Sequence, residues 1–441
     1  MDINNIITKI ETLGKANIIS PLENRYKDSD LKRFVCDDDR ILISIKKEKL
    51  VKFIQEKKDF PSFEQAGPRK KIYFDPSKVK CAIVTCGGLC PGLNDVIRAI
   101  CLELYHCYGV SNIYGIKYGL QGFIPKYKHE IKTLTPKSVL KILDMGGTIL
   151  GSSRGEQKIE LIVDCLEREN IGILFMVGGD GTLMASEKIA EEINKRNLKI
   201  SVISIPKTID NDIYLVSKSF GFDTAVDIAT NAIKSAHNEA LGYPNGIGLI
   251  KLMGRHSGFL AIKAALAQQD ANFVLIPEVD FDLNGDNGLL NAIETRLKKR
   301  KHAVIIVAEG AGQKFFKNTK NKHDASGNIK LNDIGIFLKQ NISNWFAKKN
   351  IPLSLKYIDP SYIIRSLPAN ANDSVYCALL GRDAVHAGMA GKTKLLISYW
   401  NNHYVHIPMK ASAGKRKKVD PKGKLWLSVQ EATGQGNLVN I

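Results

Sequence analysis

From Val79 onward, short and mostly apolar runs alternate with stretches in which apolar residues recur every three or four positions. Cys81–Thr85, Asn112–Ile116, Ile171–Val177 and Ile200–Ile205 are runs of the first kind, continued by Gly246–Leu252, Phe273–Ile276 and Ala303–Val307. Between them, Leu93–Tyr108, Glu156–Glu169, Leu183–Arg196, Asp223–Glu239, Gly258–Ala267 and Leu289–Lys299 carry helical periodicity. A strand that is apolar throughout is buried on both faces, so the alternation predicts parallel sheets covered by helices on each side. Two such series predict an α/β protein of two doubly wound domains with mainly parallel sheets, preceded by an N-terminal extension. The expected boundaries are 1–77 for the extension, 78–221 completed by about 364–415 for one domain, 222–363 for the other, and 416–441 for a C-terminal tail. Within the extension Ser44–Glu56 has helical character, and Phe60-Pro-Ser-Phe63 and Ala66-Gly-Pro68 punctuate the chain after it. The polar, Lys- and Asn-rich stretch Lys314–Asn332 reads as a surface loop.

Composition narrows the class. The 441 residues are 44% hydrophobic, 24% charged and 7% aromatic, which excludes a wholly disordered chain, a coiled coil and a collagen-like fibre. No apolar run approaches the ~20 residues that span a bilayer. The start, Met-Asp-Ile-Asn-Asn-Ile-Ile, lacks the basic and apolar regions of a secretory signal. The end, Asn437-Leu-Val-Asn-Ile441, lacks the Ser-Lys-Leu peroxisomal pattern. A cytoplasmic protein with no membrane partner is expected. The net charge is +18, with lysine abundant along most of the chain, and the densest basic runs are Arg296–Lys301 and Lys410–Lys424, which contains Lys415-Arg416-Lys417-Lys418. No aromatic residues interleave these runs as base-stacking platforms would. They are therefore expected as a helix end and a solvated loop, with no nucleic-acid partner, although a positive field helps collect small phosphorylated molecules. Most of the eight cysteines lie in apolar segments, where a reduced thiol packs as a small hydrophobe. Cys86 and Cys90 have no second pair at zinc spacing and are also expected to pack.

Three loops at strand ends carry the candidate chemistry. Thr85-Cys-Gly-Gly-Leu-Cys-Pro-Gly-Leu-Asn94 leads into a helix, and its glycines let backbone N–H groups approach an anion. In Val177-Gly-Gly-Asp-Gly-Thr182, an acid between glycines can hold Mg²⁺ while neighbouring N–H groups face phosphate oxygens. In Pro206-Lys-Thr-Ile-Asp-Asn-Asp212, two carboxylates spaced i, i+2 stand beside a lysine. There Asp210 can take a proton from a hydroxyl while Lys207 neutralises a transferring phosphate. His386-Ala-Gly-Met-Ala-Gly-Lys-Thr393 ends like a phosphate-binding P-loop but has His386 where that motif needs its first glycine, so it is set aside. His403 and His406, in the strand-like Tyr399–Pro408, are expected to be structural.

Taken in order and spacing, these loops resemble the phosphofructokinase family. The likeness continues through Ser219-Phe-Gly-Phe-Asp-Thr-Ala225, Met253-Gly-Arg-His-Ser-Gly258, Ala308-Glu-Gly310 and Tyr357-Ile-Asp-Pro-Ser-Tyr-Ile-Ile-Arg365, and covers residues from about 66 to 410. It is most similar to the long-chain branch typified by trypanosomatid and plant ATP-dependent enzymes. The resemblance implies Mg²⁺-assisted transfer of the ATP γ-phosphoryl group to the 1-hydroxyl of fructose 6-phosphate, by a homo-oligomer, either dimer or tetramer. It makes residues 78–221 the donor domain and 222–363 the sugar domain. Carried over motif by motif, it makes Asp210 the general base, supported by Asp212, and Asp180 the Mg²⁺ ligand. Gly87, Gly88, Gly155 and Gly179–Thr182 (with Gly181 among them) line the donor site, and Arg154 and Lys207 meet the transferring phosphate. Thr208, Ile209, Met253, Gly254, Arg255 and Glu309 hold the sugar, and Lys356, Tyr362 and Arg365 face its 6-phosphate.

The chain departs from the short bacterial enzymes at three of these places. Gly246 aligns with an arginine that there reaches a neighbouring subunit's site, and Lys356 and Tyr362 replace an arginine and a histidine. Two positions bear on the donor and point in opposite directions. Pyrophosphate users carry a carboxylate at the position of Gly181, where it would repel an α-phosphate and fill its space. They also carry a lysine at the position of Lys207. Exclusion by charge and volume is the stronger constraint, so ATP is expected and pyrophosphate is the alternative. A catalytically silent regulatory paralogue is a further alternative. NAD and lipid kinases share Gly-Gly-Asp-Gly-Thr but lack Thr208-Ile-Asp-Asn-Asp212 and Met253-Gly-Arg255.

Overall fold

Alternation along each strand decides which helix covers which face of the sheets. The computed structural model describes residues 6–25, 27, 34–316 and 330–440. The chain divides into two compact units. The first comprises the residues up to Thr208, then Ile213–Phe220 and Leu367–Lys415; the second comprises Ile209–Asp212, Gly221–Ser366 and the residues from Arg416.

Among the described residues the first unit holds a nine-stranded sheet. Its centre is parallel, in the order Leu395–Trp400, Ser201–Pro206, Ile173–Gly178, Cys81–Thr85, Ile113–Ile116. Ala82, Val84, Leu174, Met176 and Val202 point to one face. There they pack with Ile162 and Leu166 of helix Ile159–Arg168, and with Ile189 and Ile193 of helix Asp180–Lys195. Ile173 and Phe175 point the other way, beneath helix Ala371–Met389. A Cβ on Gly388 of that helix would lie 2.8 Å from Ile173. The flanks of the sheet are antiparallel. His403–Pro408 pairs with Leu395–Trp400, and Ser62–Gln65 and Arg40–Leu42 extend the sheet beyond it. Part of the stretch expected as an N-terminal extension is thus built into the sheet. The helix expected over 44–56 is Lys47–Gln55, and Leu93–Tyr108 is an α-helix, Leu93–Leu102, followed by a π-helical turn, Glu103–Cys107.

The second unit holds four parallel strands in the order Phe273–Leu275, His302–Ala308, Gly246–Leu252, Ser354–Ile358. Ile247, Leu249, Ile305 and Val307 pack on one face with helices Leu289–Arg300 and Ile334–Lys348. On the other face helix Phe222–Leu241 approaches the backbone directly. A Cβ on Gly246 would meet the Ala240 carbonyl oxygen at 2.0 Å, and one on Gly248 would meet that of Ala236 at 2.7 Å. Any side chain at 246 is excluded by this contact. Residues expected as a C-terminal tail belong to this unit: they form helix Lys424–Thr433, Gln435 accepts from Val274 N at 2.6 Å, and Leu438 joins the core. Of the expected loop Lys314–Asn332, residues 317–329 lie outside the described ones. No helix among the described residues is long and apolar enough to cross a membrane.

The N-terminal strands of the first unit are tied down by charge. Lys392 donates to Asp37 Oδ1 at 2.9 Å and reaches Glu64 Oε1 at 2.8 Å, while Arg69 and His406 Nδ1 meet Glu64 at 2.8 and 2.9 Å. The lysine of the P-loop-like stretch is therefore 3% exposed and committed to structure. Burial alone would raise the Glu64 carboxyl, but hydrogen bonds and charge from His406 and Lys392 outweigh it and hold it at about 2. A carboxyl depressed from 4.5 stabilises the fold fully above about pH 4.5, and that contribution is lost as pH falls toward 2. We expect Lys392→Met to destabilise the first unit by about 3 kcal/mol at neutral pH, because it leaves Glu64 buried with a cation missing. Chemical denaturation should also show the deficit shrinking as pH falls from 4.5 toward 2.

Candidate active site

The carboxyl ends of the parallel strands carry the glycine loops, as expected for open α/β sheets. In the first unit the strand Cys81–Thr85 runs into Gly87, with φ +83°, and Gly92, with φ +95°, caps helix Leu93–Leu102. A Cβ on Gly92 would lie 2.5 Å from Cys377 Sγ, so the turn is fixed by packing as well as by φ. Burial pushes the Cys86 thiol up to about 12, and Cys90 Sγ donates to Phe220 O; both cysteines are packing residues. The Gly151–Gly155 loop, which bears the exposed Arg154, is bonded to the same turn. Ser152 Oγ donates to Gly87 O at 2.6 Å and Gly87 N to Ser153 O at 3.3 Å. Lys207, 6% exposed at the end of Ser201–Pro206, donates from Nζ to Gly88 O at 2.7 Å. Gly87, Gly88 and Lys207 thus form one cluster, to which the loop bearing Arg154 and Gly155 is bonded through Ser152 and Ser153.

Beside it, Ile173–Gly178 delivers Gly179 and the first turn of helix Asp180–Lys195. Gly178 has no room for a Cβ, which would lie 2.1 Å from the Thr182 hydroxyl. Gly181 is the opposite case: nothing lies within 4 Å of where its Cβ would be. Asp180 occupies the helix N-terminus, where a carboxylate is favoured by the helix dipole, and its Oδ1 accepts from Gly414 N at 3.0 Å. No cluster of three or more His, Cys, Asp or Glu able to hold a metal occurs among the described residues. A single carboxylate still suits Mg²⁺, which keeps waters and phosphate oxygens as most of its ligands. Thr208 closes the first unit's share of the next loop, its carbonyl accepting from Ser219 Oγ at 2.6 Å.

The chain enters the second unit at Ile209 and leaves it after Asp212. Ile209 is buried, Asp210 half-buried, and Asn211 takes a left-handed φ of +52°. The Asp210 carbonyl accepts from Ser257 Oγ at 3.2 Å. Burial, then the charges of Asp212 and Glu309, push the Asp210 carboxyl well above the usual carboxylate range, against the Arg255 backbone N–H and the Arg416 guanidinium. Met253, Gly254 and Arg255 follow strand Gly246–Leu252, and Glu309 and Gly310 follow strand His302–Ala308. Gly310 N donates to Gly254 O at 3.1 Å, and a Gly310 Cβ would strike Arg255 O at 2.0 Å, so the two turns lie side by side. Glu309 is raised by burial, opposed by Arg255 and Lys251. Lys356 Nζ stands 5.0 Å from the centre of the Tyr243 ring, and the Arg365 guanidinium 4.9 Å from that of Tyr362. Tyr362 is 75% exposed.

Sequence reasoning missed two groups in the second unit. Arg416 and Lys417, expected in a solvated loop, bond Asp212 and Asn211. Lys251 bridges Asp333 Oδ2 at 2.8 Å, at the cap of helix Ile334–Lys348, and Asp359 Oδ2 at 2.9 Å, in the turn before the helix bearing Tyr362 and Arg365. A lysine within an apolar strand was the available signal for the second of these.

Residues 80–388 match the family model "Phosphofructokinase". An ATP-dependent 6-phosphofructokinase of Borreliella burgdorferi is 52% identical over 440 residues, covering 98% of this chain and 97% of that one. Proteins of the same description are 44% identical in Amycolatopsis methanolica, over 97% of this chain and 94% of the relative. In Trypanosoma cruzi the identity is 45%, over 84% and 76%. Two solved structures share the fold. Pichia pastoris phosphofructokinase in the T-state superposes with TM-score 0.63 at 20% identity, over 82% of this chain and only 37% of that longer one. A pyrophosphate-dependent phosphofructokinase from Marinobacter aquaeolei gives 0.66 at 18%, over 81% and 92%. The chain belongs to the phosphofructokinase family of enzymes.

Lys251→Met would leave Asp333 and Asp359 facing each other without their shared cation. After allowance for their partial exposure, thermal unfolding should show a loss of roughly 1–2 kcal/mol, most of it recovered when Asp359→Asn is added.

Proposed function

We propose that the protein is an ATP-dependent 6-phosphofructokinase of glycolysis, forming fructose 1,6-bisphosphate and ADP from fructose 6-phosphate. The observation that carries the reading is the Asp210 carboxyl, made unusually basic by burial and by Asp212. A base tuned toward the working pH is what deprotonating a sugar hydroxyl needs. The 1-hydroxyl proton passes to Asp210, its oxygen bonds to the γ-phosphorus, and the bond from that phosphorus to the β–γ bridging oxygen breaks. Phosphoryl transfer is mainly positioning and charge neutralisation, and the residues divide accordingly. Arg154 and Lys207 neutralise the transferring group, while Gly87, Gly88, Gly155 and Gly179–Thr182 receive the donor phosphates. Asp180 would hold Mg²⁺, which would supply further neutralisation. Thr208, Ile209, Met253, Gly254, Arg255 and Glu309 bind the sugar, and Lys356, Tyr362 and Arg365 its 6-phosphate. We assign the working form as a cytoplasmic homo-oligomer of the long-chain branch typified by trypanosomatid and plant enzymes.

ATP as donor is supported by the open space at Gly181 and by relatives 44–52% identical that are described as ATP-dependent. The second reading, pyrophosphate, rests on Lys207, whose ammonium is bonded into the donor turn at Gly88. Product formation measured with ATP and with pyrophosphate separately decides between them. Activity with pyrophosphate alone would overturn the first reading, and silence with both donors would favour a regulatory paralogue. Because a side chain at 181 meets no steric obstacle, Gly181→Asp should fold normally yet lose ATP turnover by about 100-fold or more, through repulsion of the α-phosphate. Asp210→Ser should lower kcat by ~10²–10⁴ while leaving fructose 6-phosphate affinity within about threefold. A base must be deprotonated, and the Asp210 carboxyl is raised. The wild-type rate should therefore fall on the acid side at a pH above the ordinary carboxylate range, as a kcat/KM profile would show.

A further inference from the structure

A basic run near the end of the chain grips the loop that carries the two carboxylates. Within the second unit, Lys417 N donates to Asp212 O at 2.7 Å, Lys417 Nζ to Asn211 Oδ1 at 3.1 Å, and Arg416 Nη1 to Asp212 Oδ2 at 3.1 Å. Three bonds thus converge on two consecutive residues, one of them Asn211 in its left-handed conformation. The Lys417 ammonium also lies 5.0 Å from the centre of the Phe259 ring. Burial pushes it down to about 8, with Asp212 opposing the shift. The next residues are anchored in turn. Val419, 3% exposed, donates from its N to Glu278 Oε1 at 2.9 Å, and Glu278 also accepts from Gly258 N at the head of helix Phe259–Gln268. A solvated basic loop has no reason to desolvate an ammonium, which costs several kcal/mol unless a partner compensates. Here the compensation comes from the acceptor loop itself. The run lies outside residues 80–388, the stretch that the family model matches.

We infer that Arg416 and Lys417 are positioning residues for phosphoryl transfer: they fix Asn211 and Asp212 so that the neighbouring Asp210 carboxylate is held toward the acceptor hydroxyl. Arg416 has a second effect. The charges of Asp212 and Glu309 raise the Asp210 carboxyl, while a hydrogen bond from the Arg255 backbone N–H and the charge of Arg416 lower it. The Arg416 guanidinium therefore keeps the base from becoming too reluctant to ionise. Both effects rest on the assignment of Asp210 as base.

The test compares Lys417→Met, Lys417→Arg and Arg416→Gln with wild type in the full chain, through kcat, KM for fructose 6-phosphate, and the pH dependence of kcat/KM. Misplacing a reacting group by about an ångström costs on the order of 100-fold. Lys417→Met should accordingly lower kcat by about 10- to 100-fold with KM changed by less than about threefold, and Lys417→Arg should recover most of the loss. Arg416→Gln removes a cation that favours ionised Asp210, so the acid limb should move to higher pH by about half a unit or more. Val419→Ala, which loosens the packing of the same segment without touching the loop, controls for stability and should lower the melting temperature with kcat unchanged. If the Lys417 and Arg416 variants only melt earlier, like Val419→Ala, with wild-type kcat and pH profile, the inference is wrong and the strap is structural. If a variant fails to fold, hydrogen exchange at amides 209–213 of the conservative Lys417→Arg protein decides: wild-type protection with wild-type kcat supports the inference, and lost protection with wild-type kcat overturns it. Absence of turnover in the wild-type protein would instead remove the assigned function, an outcome distinct from any of these.

Discussion

Two carboxylates two residues apart, withdrawn in part from water, repel each other, and much of the surrounding structure answers that repulsion. Asp212 is 5% exposed. In open solvent the pair would interact weakly, but partial burial strengthens every charge in the loop. Answering groups come from separated parts of the sequence: the Arg255 backbone from the turn after one strand, and Arg416 from near the chain's end. The compensation is incomplete, and the Asp210 carboxyl stays raised where a fully neutralised pair would leave it an ordinary acid.

The glycines do complementary work at the strand ends. Where two turns must touch, as at Gly254 and Gly310, the missing side chain permits backbone-to-backbone contact. Where a helix must lie on a strand, as at Gly246 and Gly248, it sets the spacing of the layers. Gly181 belongs to neither class, since a side chain would fit. Packing does not require its glycine, which sets it apart from Gly178 three residues earlier.

Much of the fold was legible because local pattern and tertiary role agree. Cys81–Thr85 and Ile173–Gly178 are buried at every position, as their unbroken apolar runs required. The three chemical loops stood out because glycine and acid together at a strand end satisfy no packing rule. Helix Ala371–Met389 was not legible: residues Ala384–Met389 are all buried, so no polar face imposes a period. The grip of Arg416 and Lys417 was hidden for another reason. Their partners lie 204 and 206 residues earlier, and a charge run looks the same whether it meets water or an aspartate. The N-terminal strands gave a weak signal as well, since Ser62–Gln65 takes its place from pairing with Val405 and His406 across the length of the chain.

The chain passes from one unit to the other at Thr208, Asp212, Phe220, Ser366 and Lys415. The second unit therefore owns a four-residue island, Ile209–Asp212, embedded in the coding sequence of the first. Neither unit is a heritable module. A recombination event that exchanged everything from Gly221 to Ser366 would replace most of the second unit while keeping the old acid pair and the old strap. The second unit can diversify by point mutation, and hardly at all by shuffling.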